Sequence, residues 1–176
     1  MLNMSVKTEL TDLTQVMEKL SSETFVDKSK MSLFGASQGG VVASLYAAAY
    51  PDRVHKLLLI FPAFVLFDDA KETYRELGSP DFDQLPDSLT HHNTTLGKIY
   101  LIDALDIDIQ AEQTKITAPT LIIHGTDDAV VPYQYAVEAS QTIPNAELVT
   151  VEGGEHRIDE RFAITAAPAI QKFLKE

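Results

Sequence analysis

A serine set between glycines is the strongest chemical signal in this sequence. Residues 35–39 read Gly-Ala-Ser-Gln-Gly, after an apolar run that ends at Phe34 and before a small-residue helical run that starts at Val41. A serine hydroxyl becomes nucleophilic only when a base can take its proton, so it must stand clear of the backbone on a tight strand-to-helix turn. A glycine-rich turn can hold a serine by chance, but the flanking pattern favours a nucleophile elbow at Ser37.

A base and an orienting acid are expected downstream, each after a further strand. The buried-strand pattern 119–123 leads into His-Gly-Thr-Asp-Asp-Ala-Val-Val-Pro at 124–132, and the strand pattern 146–151 leads into Glu-Gly-Gly-Glu-His. The order serine, acid, histidine is the one in which such a triad occurs when a nucleophile elbow is present. We therefore predict that Asp128 is the acid and His156 the base.

The motifs GASQGG, HGTDDAVVP and GGEH, in this order, resemble those of the α/β-hydrolase family from about Leu10 to the end of the chain. The resemblance implies an α/β fold with a mostly parallel sheet flanked by helices, and we expect one domain over residues 1–176. The family pattern His-Gly-x-x-Asp-x-x-Val-Pro places the acid on Asp128, which leaves Asp127 as a solvated loop residue.

A looser resemblance, to bacterial cinnamoyl and feruloyl esterases, rests on residues 35–63 and 95–107. Those enzymes cleave esters of hydroxycinnamic acids and carry an insert that covers the substrate. The corresponding insert here is 65–115, which we expect to be a turn-rich lid with no long regular element before Thr94. Other chemistries of the family, such as peptide, thioester or lactone hydrolysis, share the same triad and stay open.

The resemblance also suggests substrate contacts within this lid. It places Asp69 and Tyr100 closest to the phenolic hydroxyl of a hydroxycinnamoyl substrate. The apolar walls of the acyl pocket are expected from Phe64, Phe67 and Tyr100, although each of these residues is equally compatible with plain packing of the lid.

The implied mechanism is acyl transfer, in which His156 takes the proton of Ser37 and Asp128 stabilises the imidazolium. The backbone N–H of Gln38 is the expected oxyanion donor. In the family, a second donor comes from a loop after the third strand, whereas only 36 residues precede Ser37. The resemblance therefore implies a fold that lacks its N-terminal part, and losing one donor typically costs about 100- to 1,000-fold in turnover.

A missing neighbour would leave the predicted strand 30–34 at the edge of the sheet. An unprotected apolar edge favours pairing with another chain, so we expect a homodimer or another association through this strand. Alternatively, Met1 is an internal methionine of a longer protein. The missing part also allows a second functional hypothesis, in which the chain is a catalytically weak remnant that serves as a binding or assembly module.

Composition narrows the remaining possibilities. The chain has no cysteine and a net charge of −12, which excludes disulfides and thiol nucleophiles and disfavours nucleic acids and anionic membranes as partners. A neutral, small-molecule ester suits this field better. The N-terminus lacks the pattern of a signal peptide and no segment is apolar enough to cross a bilayer, so we expect a cytoplasmic protein.

No metal or cofactor is expected. His91 and His92 are adjacent in the insert, but they have no third ligand at a sensible spacing, and zinc sites need three or four. His55 and His124 flank strands, where an imidazole usually packs and bonds a backbone carbonyl. Neither competes with His156 for the role of base.

Overall fold

The computed structural model describes residues 2–91 and 94–175, and His92 therefore lies outside the described residues. The helices are α1 (Val6–Ser22), α2 (Gln38–Ala49), α3 (Leu66–Glu76), α4 (Lys98–Leu105), α5 (Ile109–Gln113), α6 (Gln134–Thr142) and α7 (Glu160–Lys175). The strands are β1 (Leu33–Ala36), β2 (Leu57–Ile60), β3 (Ser88–His91), β4 (Thr94–Gly97), β5 (Thr120–Gly125) and β6 (Ala146–Val151).

Four strands form a parallel sheet in the order β1-β2-β5-β6, and β3 pairs with β4 as a separate antiparallel hairpin. One row of the sheet runs through Leu33, Leu57, Thr120 and Ala146. Because all four strands point the same way, their carboxyl ends meet at one edge, where the predicted site loops begin. The predicted α/β-hydrolase architecture, a mostly parallel sheet with helices on both faces, is confirmed.

The two faces of the sheet are covered by different helices. On one face lies α2, which is apolar all round and buried from Gly40 to Ala48, as expected of a helix enclosed by the core. The other face carries Leu58, Ile60, Leu121 and Ile123, which pack against α7. Both faces of the sheet are thus buried, and the site loops leave from its carboxyl edge.

The first strand begins later than its sequence predicts. Lys28–Lys30 forms a turn of 3-10 helix, capped by the Asp27 side chain, which accepts a hydrogen bond from the Ser29 N–H. The strand therefore starts at Leu33 and not at Lys30. It does lie at an edge of the sheet, and the Phe34 side chain is 59% exposed.

The insert at 65–115 is more regular than its turn residues indicate. The expectation of no long element before Thr94 is wrong, because α3 runs for 11 residues. Its helical spacing buries Leu66, Phe67 and Ala70 against the core, while Asp68, Glu72 and Glu76 are exposed. The hairpin and helices α4 and α5 complete the insert, which lies between β2 and β5 in the chain.

No helix within the described ranges combines the length and the apolar character that a membrane crossing requires.

Candidate active site

Ser37 stands at the turn between β1 and α2 in a backbone conformation that L-residues rarely adopt, with φ of 51° and ψ of −127°. Three backbone hydrogen bonds hold it there: its N–H donates to the Ile60 carbonyl (3.0 Å), and its carbonyl accepts from Gly40 (2.9 Å) and Ala63 (3.0 Å). Strain of this kind persists only where the surroundings over-determine it, and it is common at functional sites. The turn pushes the serine side chain away from the sheet.

The turn is tight enough to require glycine at position 35. A Cβ atom there would lie 2.4 Å from the Gly39 carbonyl oxygen, closer than any real Cβ contact. The strand and the helix can approach this closely only without a side chain between them.

The three predicted catalytic side chains meet above the carboxyl ends of β1, β5 and β6. The His156 Nε2 lies 3.0 Å from the Ser37 Oγ, and the His156 Nδ1 lies 2.7 Å from the Asp128 Oδ2. A carboxylate only accepts, so Nδ1 carries the proton and Nε2 presents its lone pair to the serine hydroxyl. This tautomer is the one that a general base needs.

Asp128 is buried and its carboxylate is almost fully occupied. The Oδ1 accepts from the backbone N–H groups of Val130 (2.9 Å) and Val131 (2.8 Å), while Oδ2 faces His156. Asp127, in contrast, is exposed and bonds the Thr126 hydroxyl. Of the two adjacent acids, the structure therefore brings Asp128 alone to the histidine.

A second imidazole lies behind the acid. His124 is fully buried, and its Nε2 lies 2.9 Å from the Val131 carbonyl oxygen and 3.2 Å from the Asp128 Oδ2. Burial lowers the pKa of His124 below its usual 6.5, so the neutral ring donates from Nε2 to both acceptors. The carbonyl bond agrees with the sequence expectation, but the contact with the acid was not foreseen. The expectation that His55 packs is wrong, since its side chain is exposed.

The acid loop and the histidine loop are bonded to each other directly. The Asp127 N–H donates to the Gly154 carbonyl (2.9 Å), and the Gly153 N–H donates to the Thr126 hydroxyl (2.8 Å). A Cβ atom at Gly125 would lie 2.1 Å from the Gly154 oxygen. The loops can therefore meet this closely only because position 125 is glycine.

Phe61 is a contributor to the site that the sequence did not reveal. It follows β2 with φ of 33°, unusual for a bulky residue, and its ring centroid lies 4.4 Å from that of His156 and 5.6 Å from that of Phe162. The ring therefore supports the imidazole from the side of α7. Only the position directly after a buried strand could have suggested this role.

Gln38 is the first residue of α2, where a backbone N–H has no partner inside the helix. That group is available to stabilise an oxyanion at Ser37. The Gln38 side chain makes two further bonds: its Nε2 donates to the Glu9 carboxylate (2.7 Å), and its Oε1 accepts from the Tyr100 hydroxyl (2.7 Å). Glu9 was not identified from the sequence.

A cavity of 530 Å³ opens at the serine. Its walls come from the elbow, the start of the insert, α4 and the acid loop: Ser37, Gln38, Ala63, Val65, Leu66, Asp69, Tyr100, Ala129, Val130 and Val131. Both predicted substrate contacts, Asp69 and Tyr100, thus lie in the cavity that contains the serine. They also line an adjoining apolar chamber of 110 Å³ between α3, the hairpin and α4.

Two of the predicted pocket walls lie elsewhere. Phe64 and Phe67 are 3% and 1% exposed, and they line a separate 570 Å³ cleft beside Tyr135. Both belong to the hydrophobic core, and neither lines the cavity at the serine. Val65 and Leu66 take the expected place.

The Tyr100 hydroxyl is held in its protonated form. Burial raises its pKa to about 12, and the nearby negative charges of Glu9 and Asp69 contribute in the same direction.

Over the residues that the structure describes, no group of three His, Asp or Glu side chains is placed to hold a metal ion.

Among solved structures, the chain is similar to Est1E from Butyrivibrio proteoclasticus, with a TM-score of 0.86 and 29% identity over 97% of this chain and 70% of that one. A second structure, of ferulic acid bound to Est1E, matches with a TM-score of 0.85 and 29% identity over 98% of this chain and 68% of that one.

Curated relatives match over shorter spans. RutD of Stutzerimonas stutzeri is 39% identical over 70 residues, which are 39% of this chain and 26% of that protein. The AB hydrolase superfamily protein YisY of Bacillus subtilis is 29% identical over 157 residues, covering 70% of this chain and 59% of YisY. The chain thus spans from about a quarter to three fifths of the length of these relatives.

The profile of the prolyl oligopeptidase family matches residues 4–176, nearly the whole chain. With its parallel sheet, its elbow serine and its likeness to Est1E, the chain belongs to the prolyl oligopeptidase family, within the α/β-hydrolase fold.

Proposed function

We propose that this chain hydrolyses carboxylic esters with Ser37 as the nucleophile, and that its acyl substrates are hydroxycinnamoyl groups such as feruloyl. One observation carries the proposal: the hydrogen-bond chain from the Ser37 Oγ through His156 to Asp128, with distances of 3.0 and 2.7 Å. Nucleophile, base and orienter within hydrogen-bond reach of one another are the signature of an activated serine.

In the proposed reaction, the Ser37 oxygen attacks the ester carbonyl as its proton passes to the His156 Nε2. The tetrahedral intermediate collapses, the imidazolium returns the proton to the departing alcohol, and an acyl-enzyme is left. A water molecule then repeats the sequence and releases the carboxylic acid. Throughout, Asp128 stabilises the imidazolium by accepting the bond from Nδ1.

Two observations support the acyl preference: the lining of the cavity and the likeness of the chain to Est1E. A flat aromatic acyl group suits an apolar space bounded by Val65 and Leu66, with a few polar groups to fix its orientation. Asp69 and Tyr100 supply such groups, and ferulic acid is the ligand of one of the two Est1E structures.

The test is hydrolysis of p-nitrophenyl acetate and methyl ferulate by the purified chain beside its Ser37→Ala variant. Turnover that disappears in the variant, with methyl ferulate preferred over a methyl ester of an aliphatic acid, is the expected result. A folded wild-type protein whose rate equals that of Ser37→Ala on both esters would contradict the proposal. That outcome would favour the alternative of a binding or assembly module.

A further inference from the structure

The Gln38 side chain connects α1, which does not line the proposed substrate cavity, to Tyr100 on α4, which does. Its Nε2 donates to the Glu9 Oε2 on α1, and its Oε1 accepts from the Tyr100 hydroxyl on α4, both at 2.7 Å. Glu9 does not line the cavity, whereas Gln38 and Tyr100 do. The three residues form a polar relay from α1 to the cavity wall, and a role for this relay in substrate selection rests on the esterase function proposed above.

The chemistry of the relay fixes the direction of every bond in it. A carboxylate offers only acceptors, so the Gln38 amide must turn its NH₂ group toward Glu9. Its carbonyl oxygen then faces Tyr100, and the phenol must donate its single hydroxyl hydrogen to that oxygen. The Tyr100 oxygen keeps only lone pairs for a ligand.

We propose that Glu9 is a specificity-determining residue: through Gln38 it turns the Tyr100 proton away from the cavity, so that the cavity selects acyl groups carrying a hydrogen-bond donor. A hydroxyl on the ring satisfies the Tyr100 oxygen. An ether oxygen at the same place would face acceptors only, and burying an acceptor without a donor is costly.

Two further observations agree with this direction of bonding. Asp69 lines the same cavity, and its carboxylate also offers only acceptors. Burial and the charges of Glu9 and Asp69 raise the pKa of Tyr100 to about 12. The phenol therefore keeps its proton at any ordinary pH, and the relay stays intact under assay conditions.

The relay can be reversed by changing the charge at its start. In Glu9→Lys the ammonium is a donor only, so it would bond the Gln38 oxygen and turn the amide NH₂ group toward Tyr100. The phenol proton would then be free to point into the cavity. Asp12→Lys is the matched control, because it makes the same change in net charge. Asp12 is exposed and lies three residues farther along α1.

The measurement is kcat/KM for methyl 4-hydroxycinnamate relative to methyl 4-methoxycinnamate. We expect about a tenfold preference for the hydroxyl in the wild type and in Asp12→Lys, the effect of one hydrogen bond. In Glu9→Lys the preference should fall to about threefold or less. The steric effect of the methoxy group is the same in every variant, because the cavity walls are unchanged, so it cancels when the ratios are compared.

A wild-type preference that survives in Glu9→Lys would overturn the proposal, and so would an equal loss in Asp12→Lys. Glu9→Ala, which removes the acceptor without reversing it, should give an intermediate ratio and covers the case in which Glu9→Lys does not fold. Hydrolysis of p-nitrophenyl acetate, which has no ring in its acyl group, should stay within about threefold of the wild-type rate in the control variant Asp12→Lys.

Failure of the proposed function is separable from failure of the relay. If the chain hydrolyses neither cinnamate ester, calorimetric binding of 4-hydroxycinnamic and 4-methoxycinnamic acids gives the same ratio without turnover. A hydroxyl preference that Glu9→Lys abolishes would uphold the relay while the esterase proposal fails. Equal binding of the two acids by the wild type would overturn the relay.

Discussion

The acid–base half of the site and its oxyanion half are built very differently. Asp128 receives two backbone N–H groups and faces two imidazoles, and its loop is bonded to the histidine loop. The proposed oxyanion half has the N–H of Gln38, which follows β1, and among the described residues β1 pairs with β2 alone. The contrast teaches that, under the proposed mechanism, the groups for proton transfer come together within the described residues, whereas the same residues supply one identified backbone donor for the transition-state charge.

The largest effect should come from breaking the acid–base half. Asp128→Asn leaves the shape but favours the wrong tautomer of His156, so we expect turnover to fall about 10⁴-fold. Asp127→Asn makes the same chemical change at an exposed neighbour and should stay within about twofold. Steady-state hydrolysis of p-nitrophenyl acetate by both variants checks this, and equal losses would show that the two carboxylates are not distinguished as the structure indicates.

The next effect tests the oxyanion half. Gln38→Pro removes a single N–H at the first position of α2, where proline is well tolerated in helices. We expect kcat to fall about 100- to 1,000-fold relative to Gln38→Ala, which loses the side chain but keeps the N–H. Thermal unfolding should show both variants folded. A ratio near one would mean that the Gln38 backbone does not stabilise the oxyanion.

A smaller effect tests how the two loops of the acid–base half are held together. The Cβ of Gly125→Ala would meet the Gly154 carbonyl oxygen at 2.1 Å, and overpacking of this kind costs about 1–3 kcal/mol. Gly39→Ala is the control, since a Cβ there meets nothing within 4 Å and lies in a helix. It should leave stability unchanged or raise it by up to about 1 kcal/mol. Urea unfolding measures both, and similar stability of the two variants would be the contrary result.

Each half also carries a titratable group with its own pH window. The pKa of His124 is lowered by burial, so the unfolded chain binds its proton first and stability falls as pH drops below 6.5. The pKa of Tyr100 is raised from 10 to about 12, so the unfolded chain loses its proton first and stability falls as pH rises from 10 to 12.

The measurement is the free energy of unfolding against pH for the wild type, His124→Gln and Tyr100→Phe. His124→Gln should flatten the acid limb by up to about 1.4 kcal/mol per pH unit, and Tyr100→Phe should flatten only the alkaline limb. The pKa of Tyr135 is also raised to about 12, so part of that limb should remain. A variant that leaves its own limb unchanged would contradict the assignment.

We expect the smallest effect on activity from a change in β1, the edge strand that leads to Ser37. We propose that a second copy of the chain pairs along β1, where Phe34 is 59% exposed. Light scattering should then give twice the mass of one chain for the wild type and a lower mass for Phe34→Lys, because a charge on an edge opposes pairing. A wild type that stays monomeric at all concentrations would rule this pairing out.

The arrangement of Ser37, Asp128 and His156 could be predicted because its signals are local. The elbow at Ser37, the loop of Asp128 and the loop of His156 each follow a strand whose apolar run is visible in the sequence. Parallel strands bring their carboxyl ends together, so the order of motifs alone was enough to place these side chains at one edge.

The contacts that were missed depend on packing between distant elements. In the sequence alone, Phe61 and His124 cannot be told from ordinary buried residues, because their contacts come from distant elements. Glu9 is separated by 29 residues from Gln38, which it bonds. In the insert, α3 was missed because the turn-forming residues after Gly78 dominate the sequence pattern. The burial of α3 on the core, which decides its conformation, is not a local property.

The strands lie across the sheet in the same order as along the chain, with β1 and β6 at its two edges. The serine is carried by the first strand and the histidine, 119 residues later, follows the last. During synthesis His156 follows Ser37 by 119 residues, so the two groups meet only when β6 docks. Fraying of either edge would separate the two groups before the centre of the sheet loosens. The proposed esterase activity would therefore disappear ahead of any loss of secondary structure, which makes it a sensitive reporter of local unfolding.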